Sequence, residues 1–280
     1  MKKKTSWSGI GFVLPSLAGI TVFFLIPFLD VLRRSVTEMS HGKFTGLSNY
    51  LAVFQNQAFQ LAVKNTLRFE VVCISLLICL SLLAAVLLAN YVKRVRIMKS
   101  CMLVPLAIPV ASMVLLWRVL FHENGMLNGI LKMFHMNGVD WMHTDSAFWI
   151  LVFSYIWKNL GYNVVIWTAG LLAIPYGIYE EAKMDGAGNW QCFFYMTLPN
   201  LKPTLFTITV LSVLNSFKVF REAYLVAGDY PHESMYLMQH LFNNWFRDLA
   251  FDKIAAAAVI NGAVIFILVL LLKKAWNTEE

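Results

Sequence analysis

Glu180, Glu181, Lys183 and Asp185 crowd one short segment, and Gly186-Ala187-Gly188 follows at once. Readable charge beside small residues suits the docking of another surface, because that surface can come close to the backbone. It does not suit catalysis, which needs a nucleophile and a base in reach of each other. A second group stands apart. Lys158 lies in an otherwise apolar stretch with Ser154, Asn159, Tyr162 and Asn163 around it, an array of donors and acceptors for a polar solute. The remaining reactive side chains are dispersed. Six histidines (His41, His122, His135, His143, His232, His240) and four cysteines (Cys73, Cys79, Cys101, Cys192) make no C-x-x-C and no H-E-x-x-H. G-x-S-x-G and G-x-x-x-x-G-K-[ST] are missing too, so the chain is not expected to hydrolyse ATP itself.

The elements that must position these groups are membrane helices. Of 280 residues 59% are hydrophobic and 14% charged, against about half and about a quarter in a soluble domain; the mean hydropathy is +0.62. No Asp, Glu, Lys or Arg occurs in 5–29, 71–92, 100–117, 159–179 or 254–272. A helix crosses a bilayer core with roughly 20 apolar residues. A sixth stretch, from Pro203 to Gly228, is interrupted by Lys218, Arg221 and Glu222. Six spans are expected, near 10–33, 65–92, 98–121, 147–173, 203–227 and 254–275, in an all-α integral membrane protein. The alternating short strands of a barrel are not seen. The first span follows Lys2-Lys3-Lys4 but is too long for a signal-peptide core, so it reads as an anchor.

With six spans both termini share a side. If that side is the cytoplasm, 11 basic residues fall in inner segments and 7 in outer ones, as the positive-inside rule favours. Arg33 and Arg34 pull locally the other way. The net charge of +7 is spread over loop ends, which suits anionic lipid and not nucleic acid. In this topology all six histidines are outside, in solvated loops, and the cysteines lie in spans or an inner loop.

The segment 174–200 is the longest inner loop and has structure of its own. Pro175 ends the fourth span. Residues 179–185 follow a helical pattern that Gly186 and Gly188 stop. Asn189 is placed to cap a second short helix bearing Trp190, Phe193 and Phe194, and Pro199 ends it. An amphipathic helix resting on lipid would be rich in Lys and Arg on its polar face. Here three acids face one lysine, which suits a protein partner.

This loop resembles the EAA loop of binding-protein-dependent ABC transporter permeases. The resemblance rests on Glu180-Glu181-Ala182-Lys183-Met184-Asp185-Gly186-Ala187, then Phe193 and Thr197-Leu198-Pro199. Glu181 departs from it, standing where the family usually has alanine. Further matches are Gly46-Leu47-Ser48-Asn49-Tyr50, Pro105, Pro109 and Trp117, Gly125-Met126-Leu127-Asn128, Ala169-Gly170-Leu171 with Ile174-Pro175, and Ala255 to Ala258. Gly228-Asp229-Tyr230-Pro231 departs, since many relatives carry more glycines there. The resemblance covers about 10–275 and is to the carbohydrate, maltose/glycerol-3-phosphate-like branch.

It implies the type I importer permease fold: an anchor helix and outer segment in 1–60, a permease domain in 61–275, and the coupling loop 174–200 within it. It implies a heterodimer with a second related permease in a bacterial inner membrane. Two ATPase subunits, carrying ATP and Mg, would dock on Glu180, Glu181, Ala182, Asp185, Gly186 and Ala187. An extracytoplasmic solute-binding protein would deliver a carbohydrate, and this chain would bind no cofactor.

Within the fourth span Lys158 lies about 18 Å deep at 1.5 Å per residue. Ser154 and Tyr162 share its face, and Tyr155, Asn159 and Asn163 form the adjacent row. This face, with Trp157 beside it, reads either as solute pathway or as a hydrogen-bonded seam between helices. Asn215, Ser212 and Asn261 are further candidates on spans 5 and 6. Lys218 and Glu222 can pair at i, i+4 near the outer end of span 5, but snorkelling to the outer headgroups suits them better, as it does Arg68 and Arg118. The sequence leaves two other readings. A stand-alone secondary transporter calls for inverted repeats with matching broken spans. A membrane-embedded enzyme calls for an acid/base or metal cluster. Neither accounts for the inner loop.

Overall fold

The computed structural model describes residues 7–38, 42–89, 95–228 and 230–277. Lys2, Lys3, Lys4, His41 and Asp229, named above, lie outside them, as do Lys93 and Arg94, two of the 11 basic residues counted for the inner segments. Among the described residues there are helices and no strand, only a lone bridge between Thr37 and Phe44. Helix α1 (Trp7–Ile20) runs through a π-helical turn (Thr21–Leu25) into α2 (Ile26–Ser35). Next come α3 (Ser48–Gln55), α4 (Gln57–Ala89), α5 (Val95–Ala107), α6 (Val110–Phe121), α7 (Met126–Met133) and α8 (Ser146–Ala173). The segment 174–200 holds α9 (Tyr176–Met184), α10 (Asn189–Gln191), a π-helical turn (Cys192–Thr197) and α11 (Leu198–Asn200). After it come α12 (Lys202–Ser216), a 3-10 turn (Phe217–Val219), α13 (Phe220–Ala227), α14 (Met238–Arg247) and α15 (Phe251–Asn277).

Four helices are long and apolar enough to cross a membrane, and six spans result when each of two bent pairs is counted as one. The third span is not the continuous helix expected over 98–121. It breaks after Ala107, and the helix axis turns by 94°. Pro109 explains the break: it has no N–H to give, and it pushes Ile108 out of the helical region. The second bend, 63°, separates α8 from α9 at Pro175.

The chain divides into two compact units, Met1–Gln60 with Phe242–Leu268 and Leu61–Leu241 with Val269–Glu280. In the first, Gly46 takes φ +59°, which glycine adopts without a Cβ penalty. Asn49 then donates to the carbonyls of Ser35 and Thr37, at 3.2 and 3.0 Å, and the Tyr50 hydroxyl reaches Ser35 Oγ at 2.8 Å. The Gly-Leu-Ser-Asn-Tyr segment thus clamps the loose end of α2, whose last carbonyls have no helical partner.

In the second unit α8 is central, with α5 and α12 packed along it. Glycines set the closest approaches. A Cβ on Gly161 would lie 1.8 Å from the Met102 carbonyl oxygen, and one on Gly170 would lie 2.3 Å from Thr204 Oγ1. The core holds Phe69, Leu77, Phe148, Leu151 and Tyr155 toward one end and Val164, Trp167, Leu201 and Ile208 toward the other. Trp167 donates to Ser81 Oγ at 3.0 Å, so its indole N–H is satisfied inside the core. Large side chains such as Phe23, Val71, Leu83, Phe266 and Leu271 are exposed, an apolar surface that suits lipid and not water.

The turn after α6 is built around Asn128, which is buried. Its amide donates to the Glu123 and Val139 carbonyls, both at 2.8 Å, and accepts from Val139 N–H and Trp141 Nε1, both at 3.0 Å. One side chain therefore ties 122–141 together, and Gly125 is needed beside it because a Cβ would meet the Val119 carbonyl at 2.6 Å.

Candidate functional site

The polar face of α8 opens onto a cavity of about 380 Å³. Ser154, Tyr155, Lys158, Asn159 and Tyr162 line it from α8. Asn215, Lys218 and Glu222 line it from the fifth span, with Leu106, Leu211 and Val219 as apolar wall. Lys158 and Glu222, 64 residues apart, form a buried ion pair. This corrects the expected Lys218–Glu222 pairing. Lys218 is exposed and donates instead to Asn215 Oδ1 at 2.7 Å. The i, i+4 rule describes exposed helix faces. At depth each charge takes the opposite charge that is itself removed from water, because there the attraction is screened least.

The adjacent row of α8 is partly a seam. The Tyr155 hydroxyl donates to the Ser212 carbonyl at 2.8 Å, and Asn163 Nδ2 to Ser212 Oγ at 3.3 Å. Asn163 is buried there and is not on the cavity wall. Asn159 donates to the Tyr155 carbonyl at 2.9 Å and still lines the cavity. Ser154 accepts from Trp117 Nε1 at 2.8 Å. Pathway and seam thus divide one helix by face. Asn261, on α15, is half-buried.

Trp157 does not flank the polar cavity. Its ring packs on Trp117 at 5.4 Å, and with Phe121, Trp141, Trp149 and Phe153 it lines a separate apolar hollow. Nor does Arg68 stand alone at an interface: its guanidinium lies 4.2 Å above the centre of the Phe148 ring, a cation–π contact.

The segment 174–200 is held at both ends. Gly186 has φ +82°; Ala187 N–H bonds the Ala182 carbonyl at 2.9 Å and Gly186 N–H the Lys183 carbonyl at 3.0 Å. This is the paired Schellman closure of a helix C-terminus, and it needs a left-handed residue at that place. Gly188, not Asn189, caps the next turn, since Asn189 is already helical. Gln191 Oε1 accepts from Gly188 N–H at 2.7 Å. The Tyr179 hydroxyl meets Thr197 Oγ1 at 2.9 Å and so joins α9 to the π-helical turn. Ile178 and Tyr179 pack onto the Trp167–Leu201 core. Ala182 is 6% exposed, so its small size serves this inward packing. Glu180, Glu181, Lys183, Asp185 and Gly186 face outward. Met184, Trp190 and Tyr195 are exposed beside them, and Trp190 stacks on Phe194. Of the six expected docking residues Glu180, Glu181, Asp185 and Gly186 are thus presented, Ala187 is half-buried and Ala182 is buried. The exposed aromatic side chains were not among them, although Trp190 and Phe194 had been noted.

The histidines do not all lie in solvent. His240 is fully buried, between Phe220 and Tyr236, and its Nδ1 accepts from Leu237 N–H at 3.2 Å. Glu123, Asp140 and His143 bring ligand atoms within 4.8 Å of one another at an exposed loop. Asp140 is already engaged there by the Met142 and His143 backbone N–H groups and the His143 ring. Partial desolvation raises its carboxyl, but these bonds and the imidazole charge outweigh that and hold it below the ordinary value. All four cysteines are free.

Residues 77–277 match the family described as binding-protein-dependent transport system inner membrane component. The chain is 31% identical over 237 residues to the trehalose/maltose transport system permease protein MalF of Thermococcus litoralis, covering 82% of this chain and 80% of that one. It is 30% identical over 267 residues to the arabinooligosaccharides transport system permease protein AraP of Bacillus subtilis, covering 92% and 84%. To the sn-glycerol-3-phosphate transport system permease protein UgpA of Yersinia enterocolitica it is 29% identical over 265 residues, covering 91% and 89%. Among solved structures, a chain of a bacterial ABC transporter involved in the import of the acidic polysaccharide alginate superposes with a TM-score of 0.85. There the identity is 20%, over 98% of this chain and 96% of that one. A second structure, of the alginate transporter with an alginate pentasaccharide-bound periplasmic protein, gives 0.82 at 20% identity, over 96% of each chain.

Proposed function

Since the chain belongs to the family of binding-protein-dependent transport system inner membrane components, we propose that it forms one half of the membrane pathway of a carbohydrate importer. It is a multi-pass inner-membrane transporter subunit and not an enzyme. Solute comes from a separate binding protein, as in the alginate transporter captured with its periplasmic protein. A second, related permease supplies the other half. Two ATPase subunits, which hold the ATP and Mg, dock on the loop 174–200. Both termini are cytoplasmic, which puts that loop on the ATPase side. Relatives named for trehalose/maltose and arabinooligosaccharides support a carbohydrate.

The observation that carries the coupling role is the rigidity of 174–200. A segment passing the work of ATP binding to the spans must not yield, because a pliant contact cannot bias a two-state equilibrium. Schellman closure, the Gln191 return bond and the Tyr179–Thr197 bond fix it, and Glu180, Glu181, Asp185, Trp190 and Tyr195 remain free to be read. For the pathway role the support is the cavity with Lys158, Asn159, Tyr162 and Asn215 on its wall. Ser154 and Glu222 complete it, while Asn163 serves the seam.

Gly186→Trp tests the docking role. No atom lies within 4 Å of the new Cβ, so the protein should still insert, and the left-handed φ costs about 1–2 kcal/mol. Co-purification of the ATPase subunits should fall at least tenfold. Full retention of them would remove the loop from the coupling route.

A further inference from the structure

Glu222 is the odd member of the cavity. Its side chain is 5% exposed, and one carboxylate oxygen receives the Lys158 ammonium. The other, Oε2, is closed to solvent and has no hydrogen-bond partner. An ionised carboxylate only accepts. Leaving a buried acceptor unmatched costs about 1–3 kcal/mol, and more when it is charged. Asn215 Oδ1 holds the Lys218 ammonium, and Ser154 Oγ holds the Trp117 N–H. Neither is turned to Glu222. The wall is therefore short of one donor beside a carboxylate, and Lys158 stands next to it with a side chain 19% exposed.

A hydroxyl is the group that answers both needs at once, since it donates one proton and accepts through two lone pairs. A carboxylate or phosphate could accept from Lys158 but would meet Glu222 as a like charge, which is costly away from water. We propose that Glu222 is the residue that recognises solute hydroxyls: a polyhydroxylated solute inserts a hydroxyl into the Lys158–Glu222 pair, donating to the carboxylate and accepting from the ammonium. A rotation of the carboxylate toward the cavity accompanies it, because Oε2 is closed to solvent. Leu106, Leu211 and Val219 then face the C–H surface of the sugar ring. Lys158 acts here as the partner that holds and aims the carboxylate. The inference rests on the reading of this cavity as the solute's place.

The test is saturation-transfer NMR on the assembled transporter without its binding protein, with maltose, trehalose and lactose as probes. Wild-type complex should show transfer from at least one. Glu222→Gln should weaken it severalfold, since Lys158 takes the amide oxygen and the neutral NH₂ is left to face the solute. Lys158→Met with Glu222→Leu keeps the site packed, because an apolar pair of similar volume replaces a buried ion pair at little cost. It should weaken binding at least about tenfold, the loss of one hydrogen bond to a charged group. Melting of each complex confirms assembly. If the apolar pair binds as the wild type does, the ion pair is a structural seam and the assignment is overturned. Asn215→Trp, which fills the cavity, separates the two levels. Unchanged binding there overturns the cavity itself as the solute's place. Loss there, with full binding by the apolar pair, overturns Glu222 alone. No transfer to the wild type overturns both.

Discussion

Replacing Gly161 by alanine should damage the protein far more than one methyl group suggests. The new Cβ would lie 1.8 Å from the Met102 carbonyl oxygen and 2.4 Å from its carbon. Ordinary contact begins at 3.4 Å, so α5 and α8 would have to part by about 1.6 Å where they cross, the difference of those two distances. The obstructing atoms are backbone and cannot rotate aside. Overpacking a tight core costs about 1–3 kcal/mol when side chains can adjust, so about 3 kcal/mol is expected, on the order of a hundredfold in the folding equilibrium. Lys158 and Tyr162 sit within one turn of Gly161 on the same helix, so the cavity would shift too. Thermal melting of the purified transporter is the assay, with Gly177→Ala and Gly262→Ala as controls, since neither new Cβ has an atom within 4 Å. Both controls should melt with the wild type. Met102→Gly should not rescue Gly161→Ala. By contrast, Gly170→Ala meets the Thr204 side chain, and Thr204→Ala should restore much of its stability. Wild-type melting of Gly161→Ala would refute the close crossing and the reasoning built on it.

Lys158→Ala should lower stability by about 3–5 kcal/mol, because it strands the buried Glu222 charge, whereas Lys158→Met with Glu222→Leu should melt near the wild type. Equal melting of all three would show that the pair is solvated. The loop at Asp140 should be pH-sensitive on the acid side only. Its carboxyl is held below the ordinary 3.8, so its contribution is complete above that value and is lost as pH falls through the lowered one. The protection of Met142 and His143 N–H against hydrogen exchange should therefore be full at pH 5 and be lost only as pH falls below the ordinary carboxylate range. Asp140→Asn should abolish that step, and a step that survives the substitution would belong to another group.

Membrane character, the helical class and the bounds of most spans were legible from charge-free stretches, because a bilayer demands about 20 apolar residues and closed backbone hydrogen bonds. The inner loop was legible in large part for the same kind of reason. Gly186 and Pro175 act through local backbone geometry, which sequence encodes directly, whereas Pro199 does not end the second helix as expected: it lies in the first turn of α11, where its missing N–H costs no bond. The Schellman closure needs nothing beyond its own few residues. Local reasoning failed where the partner came from another helix. Lys218 lies at the favoured spacing from Glu222, yet Lys158, 64 residues away, holds the carboxylate. Asn163 looked like Asn159 on a helical wheel, but Ser212 draws it into a seam. Trp157 turned to Trp117, and Ala182 turned inward. The small residue at 161 gave no hint of the carbonyl against it. Spacing along one helix fixes which side chains share a face; which face meets water, lipid, a carbonyl or an opposite charge depends on the packing of helices distant in sequence, and only the tertiary structure decides that.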